Sequence, residues 1–409
     1  MKFAIIGKSL PHTLSPKIHN EFFHIDYTKI ELNENQLSDF FASKKFDGFN
    51  VTIPYKETVI PFLDEVSSEA LNIGAVNTVV NKNGKFFGYN TDIFGLEYGL
   101  KSLNVDLLNK TVLVLGSGGT SKTACYLLKK FTDKVFVVSR TGKVNYQNCY
   151  DIDADIVINT TPIGMFPNDN ESPVELTKFK NLKAVYDVVY NPLNTKLVLD
   201  AIKLSIPAKN GLGMLVAQAV KAKDLFLDKK TDESEIDKVL VSLQKELKNI
   251  LFVGMPSSGK STIAKILAKK LDREFVDTDL LIEKTENISI PKIFETKGED
   301  YFRNIETKVL KGIVSNFSKV IATGGGIILK EENRELIKKN SFVVYLKRDI
   351  DKLSTKNRPL SKDKETLIKM QEVRKPFYEE LADIIIDNNS DLESAIEEIL
   401  VKYEKNSSY

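Results

Sequence analysis

Residues Gly254-Met-Pro256-Ser257-Ser258-Gly259-Lys260-Ser261 fit the pattern G-x-x-x-x-G-K-[ST] at every position. Such a loop binds phosphate. Its backbone N–H groups converge on an anion, Lys260 adds a cation, and Ser261 offers a hydroxyl to Mg²⁺. An apolar strand, Ile250–Val253, precedes the loop, and a helix is predicted from Ser261, through Thr262, to Leu271. A second Gly-rich turn, Gly116-Ser117-Gly118-Gly119-Thr120-Ser121, follows the apolar run 111–115 and opens another predicted helix. Ser121 departs from the pattern G-x-G-x-x-G. The strand–turn–helix setting is nevertheless the one that holds a dinucleotide pyrophosphate at a helix N-terminus. The next strand, Val135–Val138, runs into Ser139-Arg140-Thr141. An acidic residue there would hold a ribose diol, whereas Arg flanked by hydroxyls suits a 2′-phosphate, so NADP is expected rather than NAD.

Proton chemistry has few candidates. The chain has three histidines, His12, His19 and His24, all near its start. Elsewhere the work falls to Lys, Asp, Glu or Arg, and a His/Cys zinc site is not expected. In Asn50-Val-Thr52-Ile-Pro-Tyr-Lys56, Pro54 reads as the first residue of a helix. Lys56 would then sit in a first turn, where the macrodipole disfavours a cation and favours the neutral amine. The plain alternative is a solvated surface lysine. Asp92 either caps a helix over 93–101 or shares a cleft with Lys56, as a pair able to exchange a proton with a substrate hydroxyl. Ser15, before Pro16, reads as an N-cap. With Thr13 it could hold a carboxylate, or it could cap and nothing more. Asp277 and Asp279 stand two apart at the end of an apolar run, and Asp279 could cap a helix over 280–285. Arg303 and Glu306, three apart on a predicted helix, have the spacing of a surface ion pair. Gly324-Gly325-Gly326 lets a ligand approach the backbone, or makes a tight turn.

Bulk properties bound the rest. At 409 residues, two or three domains are expected. Lys+Arg (58) nearly balance Asp+Glu (56), which points away from nucleic acid or an anionic membrane as main partner. No apolar run of about 18 residues and no signal-like start is evident. Two cysteines, Cys125 and Cys149, make no disulfide framework. A reducing cytoplasmic setting is expected, with small-molecule substrates and no obligatory protein partner. Strands and helices alternate through most of the chain, which argues for parallel α/β architecture. A helix predicted within 229–248 leads almost at once into the second nucleotide-binding half, with no Gly/Ser-rich or Pro-rich linker.

The first half carries further motifs: Gly74-Ala-Val-Asn77-Thr78, Asn159-Thr-Thr-Pro-Ile-Gly164, Tyr186-Asp-Val-Val-Tyr190-Asn-Pro, and Asn210-Gly-Leu-Gly-Met-Leu-Val-Ala-Gln218. With the segments above, they resemble the shikimate dehydrogenase family over about residues 3–247. The later set resembles shikimate kinase over about residues 249–403. The resemblance implies an α/β substrate domain (1–100 plus 211–248), a Rossmann-like NADP domain (101–210) and a P-loop kinase domain with a parallel sheet (249–409). It implies Lys56 and Asp92 as the catalytic pair and Thr13 and Ser15 on the substrate carboxylate. Thr52, Asn77, Tyr190 and Gln218 would contact the ring, with Gly116 to Thr120, Ser139, Arg140, Thr141 and Gly211 on NADP. In the kinase half it implies ATP on Gly254, on Pro256 to Thr262 and on Arg358 of a lid, with shikimate on Asp279, Arg303, Gly324 to Gly326 and Arg374. Lys260 and Asp279 would be catalytic, Ser261 would bind Mg²⁺, and Asp277 would reach it through water. The implied activity is NADPH-dependent reduction of 3-dehydroshikimate, then ATP-dependent phosphorylation of shikimate. The alternative is a quinate/shikimate dehydrogenase with a nucleotide-sensing module. This chain departs from the family at Thr13, where Ser is usual, and in the short stretch 140–155, where a helix is missing. A further departure is the short lid 349–362, which lacks a second Arg.

Overall fold

The computed structural model describes residues 1–11, 13–354 and 363–405. The chain divides into two compact units, Met1–Leu243 and Gln244–Tyr409.

The first unit holds two sheets. Strands β1 (Phe3–Gly7), β2 (Tyr27–Glu31), β3 (Gly48–Val51), β4 (Glu65–Val66), β5 (Thr78–Lys82) and β6 (Lys85–Tyr89) form a six-stranded sheet in the order β2-β1-β3-β5-β6-β4. β1 runs parallel to β2 and β3, while β5 is antiparallel to both β3 and β6. This antiparallel hairpin lays the start of β5 and the end of β6 beside the end of β3, where the chemistry-bearing residues lie. The second sheet is wholly parallel: β7 (Val112–Leu115), β8 (Val135–Val138), β9 (Ile156–Asn159), β10 (Ala184–Asp187) and β11 (Ala208–Lys209), ordered β11-β10-β9-β7-β8. The strand order reverses at β7, and the Gly116 turn follows it, at the switch point where open α/β sheets bind ligands.

Two helices join the sheets. Asp92–Lys101 packs on Leu212–Leu227 closely enough that a Cβ on Gly95 would lie 2.5 Å from the Met214 carbonyl oxygen. From the second of these helices, Ala222 and Phe226 return to pack with Phe3 and Ile5 of β1.

The second unit has one parallel sheet: β12 (Asn249–Val253), β13 (Glu274–Asp277), β14 (Lys319–Ala322), β15 (Ser341–Lys347) and β16 (Ile384–Asp387), ordered β13-β14-β12-β15-β16. β12 is central, buried along its whole length, and aims the Gly254 loop at the C-terminal edge. Three runs on adjacent strands, Ile250/Phe252, Val320/Ala322 and Val344/Leu346, build one face of the core with Ile263 and Leu267 of the following helix. Among the described residues no helix is long and apolar enough to cross a membrane.

Three local expectations are corrected. Ser15 is the first residue of a short helix, not its cap; Leu14 takes the cap position and makes no side-chain bond there. The Thr13 hydroxyl accepts the Ser15 N–H instead, at 3.3 Å. Residues 53–59 form successive turns, not a helix, so no macrodipole acts on Lys56. Asp277 rather than Asp279 caps the helix Thr278–Glu286, accepting from the N–H groups of Asp279 and Leu280.

His19 is the one histidine wholly buried among the described residues. Its ring stacks on Tyr27 at 4.1 Å and meets Phe23 edge-on. Neither ring nitrogen has a hydrogen-bond partner among the described residues. Burial first, and then the Lys223 charge, lowers its pKa to about 3. The unfolded chain therefore binds a proton below about pH 6.5 that the folded chain refuses until about pH 3. This contribution to stability is complete above pH 6.5 and falls by about 1.4 kcal/mol per unit below it. In urea unfolding between pH 7 and pH 5, His19→Phe should lose part of the wild-type acid sensitivity; identical slopes for the two chains contradict the assignment.

Candidate active sites

In the first unit Lys56 and Asp92 meet, Nζ to Oδ2, at 2.6 Å. Both are largely withdrawn from water, with side-chain exposures of 15% and 9%. The other Asp92 oxygen accepts from Asn77 Nδ2 at 2.8 Å. Asp92 begins the helix Asp92–Lys101 without capping it; Asn90 Oδ1 takes the Ile93 N–H. The carboxylate is thus committed to the lysine and not to the helix end.

A cavity of about 190 Å³ opens on this pair. Thr13, Ser15, Thr52, Asn77, Tyr190 and Gln218 all line it, with Asn50, Met214 and Gly211. Every substrate-contact residue expected of the first half is therefore on one wall or another of one cavity. Burial raises the Tyr190 hydroxyl to about 12, so it stays protonated and can donate.

A second cavity, about 690 Å³, runs along the Gly-rich turn and is lined by Gly116, Ser117, Gly118, Gly119, Thr120, Ser139 and Arg140. Gly116 has φ +105°, and a Cβ on Gly118 would meet only open space. The turn therefore leaves room for a pyrophosphate against its backbone, and the residues fit a dinucleotide. Lys56, Ile53 and Thr120 line both cavities. Gly211, expected on the dinucleotide, lines the smaller cavity instead, and Thr141 lines neither. No α-helix lies between β8 and β9 among the described residues; turns and a 3-10 turn at Cys149–Asp151 fill the space.

Sequence reasoning missed Tyr146 and Asp187. Tyr146 shares the larger cavity with Arg140, and no motif marks it. Burial raises its hydroxyl, and the Arg140 charge opposes that. Asp187, fully buried at the end of β10, accepts from Thr195 at 2.6 Å, Asn159 at 2.9 Å and the Val189 N–H at 3.0 Å. It ties the loop after β9 to the segment carrying Tyr190. Burial lifts its pKa to about 7, against the pull of those three donors. The sequence signals were an Asp closing an otherwise apolar strand and its place in the Tyr186-Asp-Val-Val-Tyr190 motif, where only Tyr190 was given a role.

In the second unit Lys260 begins the helix Lys260–Lys270, is nearly buried, and donates to the Gly254 and Met255 carbonyls at 2.9 and 2.8 Å. Gly254, Ser257 and Gly259 have φ of +146°, +63° and +97°. Positive φ at such positions is what lets loop N–H groups converge on an anion; the Ser258 N–H bonds the Met255 carbonyl at 3.2 Å. Ser261 Oγ donates to Asp277 Oδ2 at 2.6 Å. That hydroxyl and carboxylate are hard oxygen donors, and few are needed for Mg²⁺, which keeps most of its waters and phosphate oxygens. The loop and this pair fit ATP and Mg²⁺. Arg358 lies outside the described residues.

The three glycines after β14 pack on the remaining expected groups. A Cβ on Gly324 would lie 2.6 Å from Asp279 Oδ1, one on Gly325 2.8 Å from Pro256, and one on Gly326 2.6 Å from the Arg303 guanidinium. Arg303 bonds Glu306 at 2.8 Å and Glu299 at 3.0 Å. The pair read as a surface ion pair is buried: Glu306 is 1% exposed. Burial raises its carboxyl to about 7, while Arg303 pulls the other way, Asp279 adds to the rise, and Arg374 opposes it. Asp279, Arg303, Glu306, Arg374 and the glycines thus form one cluster.

These features define an α/β chain with a dinucleotide site beside a lysine–carboxylate pair and a separate P-loop site beside an arginine cluster. A family model for the shikimate dehydrogenase substrate binding domain matches residues 5–79, and one for shikimate kinase matches residues 256–404. The chain is 41% identical over 260 residues to the shikimate dehydrogenase (NADP(+)) of Caldicellulosiruptor bescii, spanning 56% of this chain and 89% of that one. It is similar to the crystal structure of shikimate dehydrogenase 1 from Peptoclostridium difficile, at 35% identity, covering 60% of this chain and 98% of that one, with a TM-score of 0.56. It is also similar to a chorismate mutase/shikimate 5-dehydrogenase fusion protein from Clostridium acetobutylicum, at 33% identity, 59% and 97% coverage and a TM-score of 0.57. The chain belongs to the shikimate dehydrogenase family and carries a shikimate kinase domain after it.

The packing at Gly326 yields a direct test. In Gly326→Ala the new methyl must displace a guanidinium that two glutamates hold. Phosphorylation of shikimate should fall roughly tenfold or more, about 1.4 kcal/mol on the barrier, with an unchanged unfolding transition. Wild-type kinetics in this variant would mean that Arg303 moves aside without consequence.

Proposed function

We propose that this chain catalyses two successive reactions. The first unit reduces 3-dehydroshikimate to shikimate with NADPH, and the second transfers the γ-phosphoryl group of ATP to the 3-hydroxyl of shikimate. The observation that carries the reading is the position of Lys56, which lines both the small cavity and the dinucleotide cavity and holds Asp92 at 2.6 Å.

NADPH supplies the hydride. The Lys56 ammonium donates a proton to the carbonyl oxygen as it becomes a hydroxyl, and Asp92 keeps that ammonium oriented and accompanied by a counter-charge. Thr13 and Ser15 hold the carboxylate of the substrate by their hydroxyls. Arg140 meets the 2′-phosphate as an exposed cation. In the second unit Asp279 accepts the proton of the attacking 3-hydroxyl. Lys260 offsets the charge gathering on the transferred phosphoryl oxygens, while Arg303 and Arg374 hold the shikimate carboxylate. Phosphoryl transfer depends mainly on such positioning and charge neutralisation. The alternative of a nucleotide-sensing module is not favoured, since residues 256–404 match the kinase model itself.

The two activities separate by mutation. Lys56→Ala should abolish reduction of 3-dehydroshikimate and leave phosphorylation intact. Lys260→Ala and Asp279→Asn should do the reverse. These outcomes are read by NADPH oxidation and by a coupled ADP assay. Lys56→Ala turnover within about tenfold of wild type, a barrier change of only about 1.4 kcal/mol, would remove Lys56 from the mechanism.

Cofactor choice gives a second test. A charge-assisted bond to phosphate is worth about 1.5–3 kcal/mol. Because Arg140 is exposed, the low end applies. Arg140→Ala should raise KM for NADPH roughly tenfold and leave KM for NADH nearly unchanged; equal losses for both would exclude the 2′-phosphate role.

A further inference from the structure

Tyr27 opens β2, is 2% exposed, and lines neither of the two cavities described above. Its hydroxyl donates to Asn50 Oδ1 at 2.6 Å. With that oxygen engaged by a donor, the Asn50 amide has only one satisfactory orientation. Its NH₂ turns the other way and donates to Thr78 Oγ1 at 3.0 Å and the Asn77 carbonyl at 3.2 Å. The Thr78 hydroxyl, now an acceptor, directs its own proton to Asn77 Oδ1 at 3.1 Å. Asn77 Oδ1 also takes the Thr91 N–H at 2.6 Å, so Asn77 Nδ2 faces Asp92 Oδ1 at 2.8 Å. Only Asp92 Oδ2 is then presented to Lys56. Donor polarity therefore runs in one direction from a remote phenol to the catalytic carboxylate, through groups that are all buried.

We infer that Tyr27 is a positioning residue for the reduction. From a place the substrate does not reach, its hydroxyl fixes the Asn50 amide and, through Thr78 and Asn77, selects the Asp92 oxygen that meets Lys56.

Two observations make the phenol a dependable end to this chain. The ring is clamped by the parallel His19 ring at 4.1 Å. Burial also raises the hydroxyl well above its ordinary range, which favours the protonated, donating form. The network also contains the alternative that Tyr27 suppresses. Thr78 Oγ1 lies 3.0 Å from Thr91 Oγ1, and either can donate. If Asn50 flips, the Thr78 proton goes to Asn50 Oδ1 or to Thr91, and Asn77 loses one of the donors to its Oδ1, keeping its bonds to the Thr91 N–H at 2.6 Å and to the Thr91 hydroxyl. The loss falls on the carboxylate that Asn77 Nδ2 holds; Tyr27 itself touches no substrate.

The inference rests on the dehydrogenase reading, and the test distinguishes the two. Tyr27→Phe keeps the ring on His19 and removes only the hydroxyl. In the full chain, kcat for reduction of 3-dehydroshikimate should fall roughly fivefold to tenfold, the range a single hydrogen bond supplies. KM for 3-dehydroshikimate and for NADPH should change by less than about twofold. Thr78→Val breaks the next link and should give the same split. The double variant should be no worse than about the poorer single one, because both cut one chain. Independent packing defects would instead multiply, and would raise KM as the cavity loosens. Unchanged kcat in Tyr27→Phe, a rise in KM without a fall in kcat, or multiplicative losses in the double variant each overturns the inference alone. A wild-type chain that does not reduce 3-dehydroshikimate overturns the reading beneath it.

Discussion

A lysine and an aspartate held 2.6 Å apart and mostly out of water set the terms for the first unit. Either charge alone in that place would carry a desolvation cost of several kcal/mol, so each must be accompanied by the other and by hydrogen bonds to the remaining lone pairs. Lys56 follows β3, Asn77 precedes β5 and Asp92 follows β6. A purely parallel sheet would have sent the chain away on a crossover between these strands. The antiparallel β5–β6 pair returns it at once and brings the three side chains together. Gly95 allows the helix after Asp92 to seat against Leu212–Leu227, which carries Met214 and Gln218 to the same cavity.

The second unit meets the same constraint with a different composition. Arg303 and Arg374 stand with Glu306 and Asp279 in a confined volume. Burial drives Glu306 toward its neutral form, with a pKa of about 7. Each step toward neutrality leaves the arginines less compensated and the cluster more attractive to an anion. A carboxylate-bearing substrate, as proposed for shikimate, would supply that missing charge, which an uncharged polyol would not. The glycines after β14 keep the backbone close enough for these side chains to share one space.

What the sequence disclosed follows from how local each mechanism is. The turns at Gly116 and Gly254 were legible because strand, turn and helix are contiguous, and the positive φ angles demand glycine at fixed offsets. Lys56 and Asp92 were identifiable as a pair, but the support expected for Lys56 was wrong. Pro54 suits a helical first turn and an ordinary turn alike, and the chain takes the turn. The Arg303–Glu306 spacing is the same on an exposed helix as on a buried one, so burial was invisible. Tyr146 and the Tyr27–Asn50 contact join residues from separate elements, for which one sequence carries no pattern.

The missing helix between β8 and β9 bears on how the proposed cofactor would be recognised. A longer segment could enclose the adenosine end and discriminate by shape. Here turns take its place, and Arg140 stands exposed with Tyr146 beside it in the cavity wall. An exposed guanidinium discriminates by charge, and salt screens it over about 8–10 Å at physiological ionic strength. On the proposed reading, affinity for the pyrophosphate would rest on the backbone of the Gly116 turn, whose short-range hydrogen bonds salt weakens less. Preference for the 2′-phosphate therefore depends on ionic strength more than binding itself does. On the proposed reading, the Gly116 turn would seat the dinucleotide, and Arg140, one solvated side chain at its rim, would choose between dinucleotides.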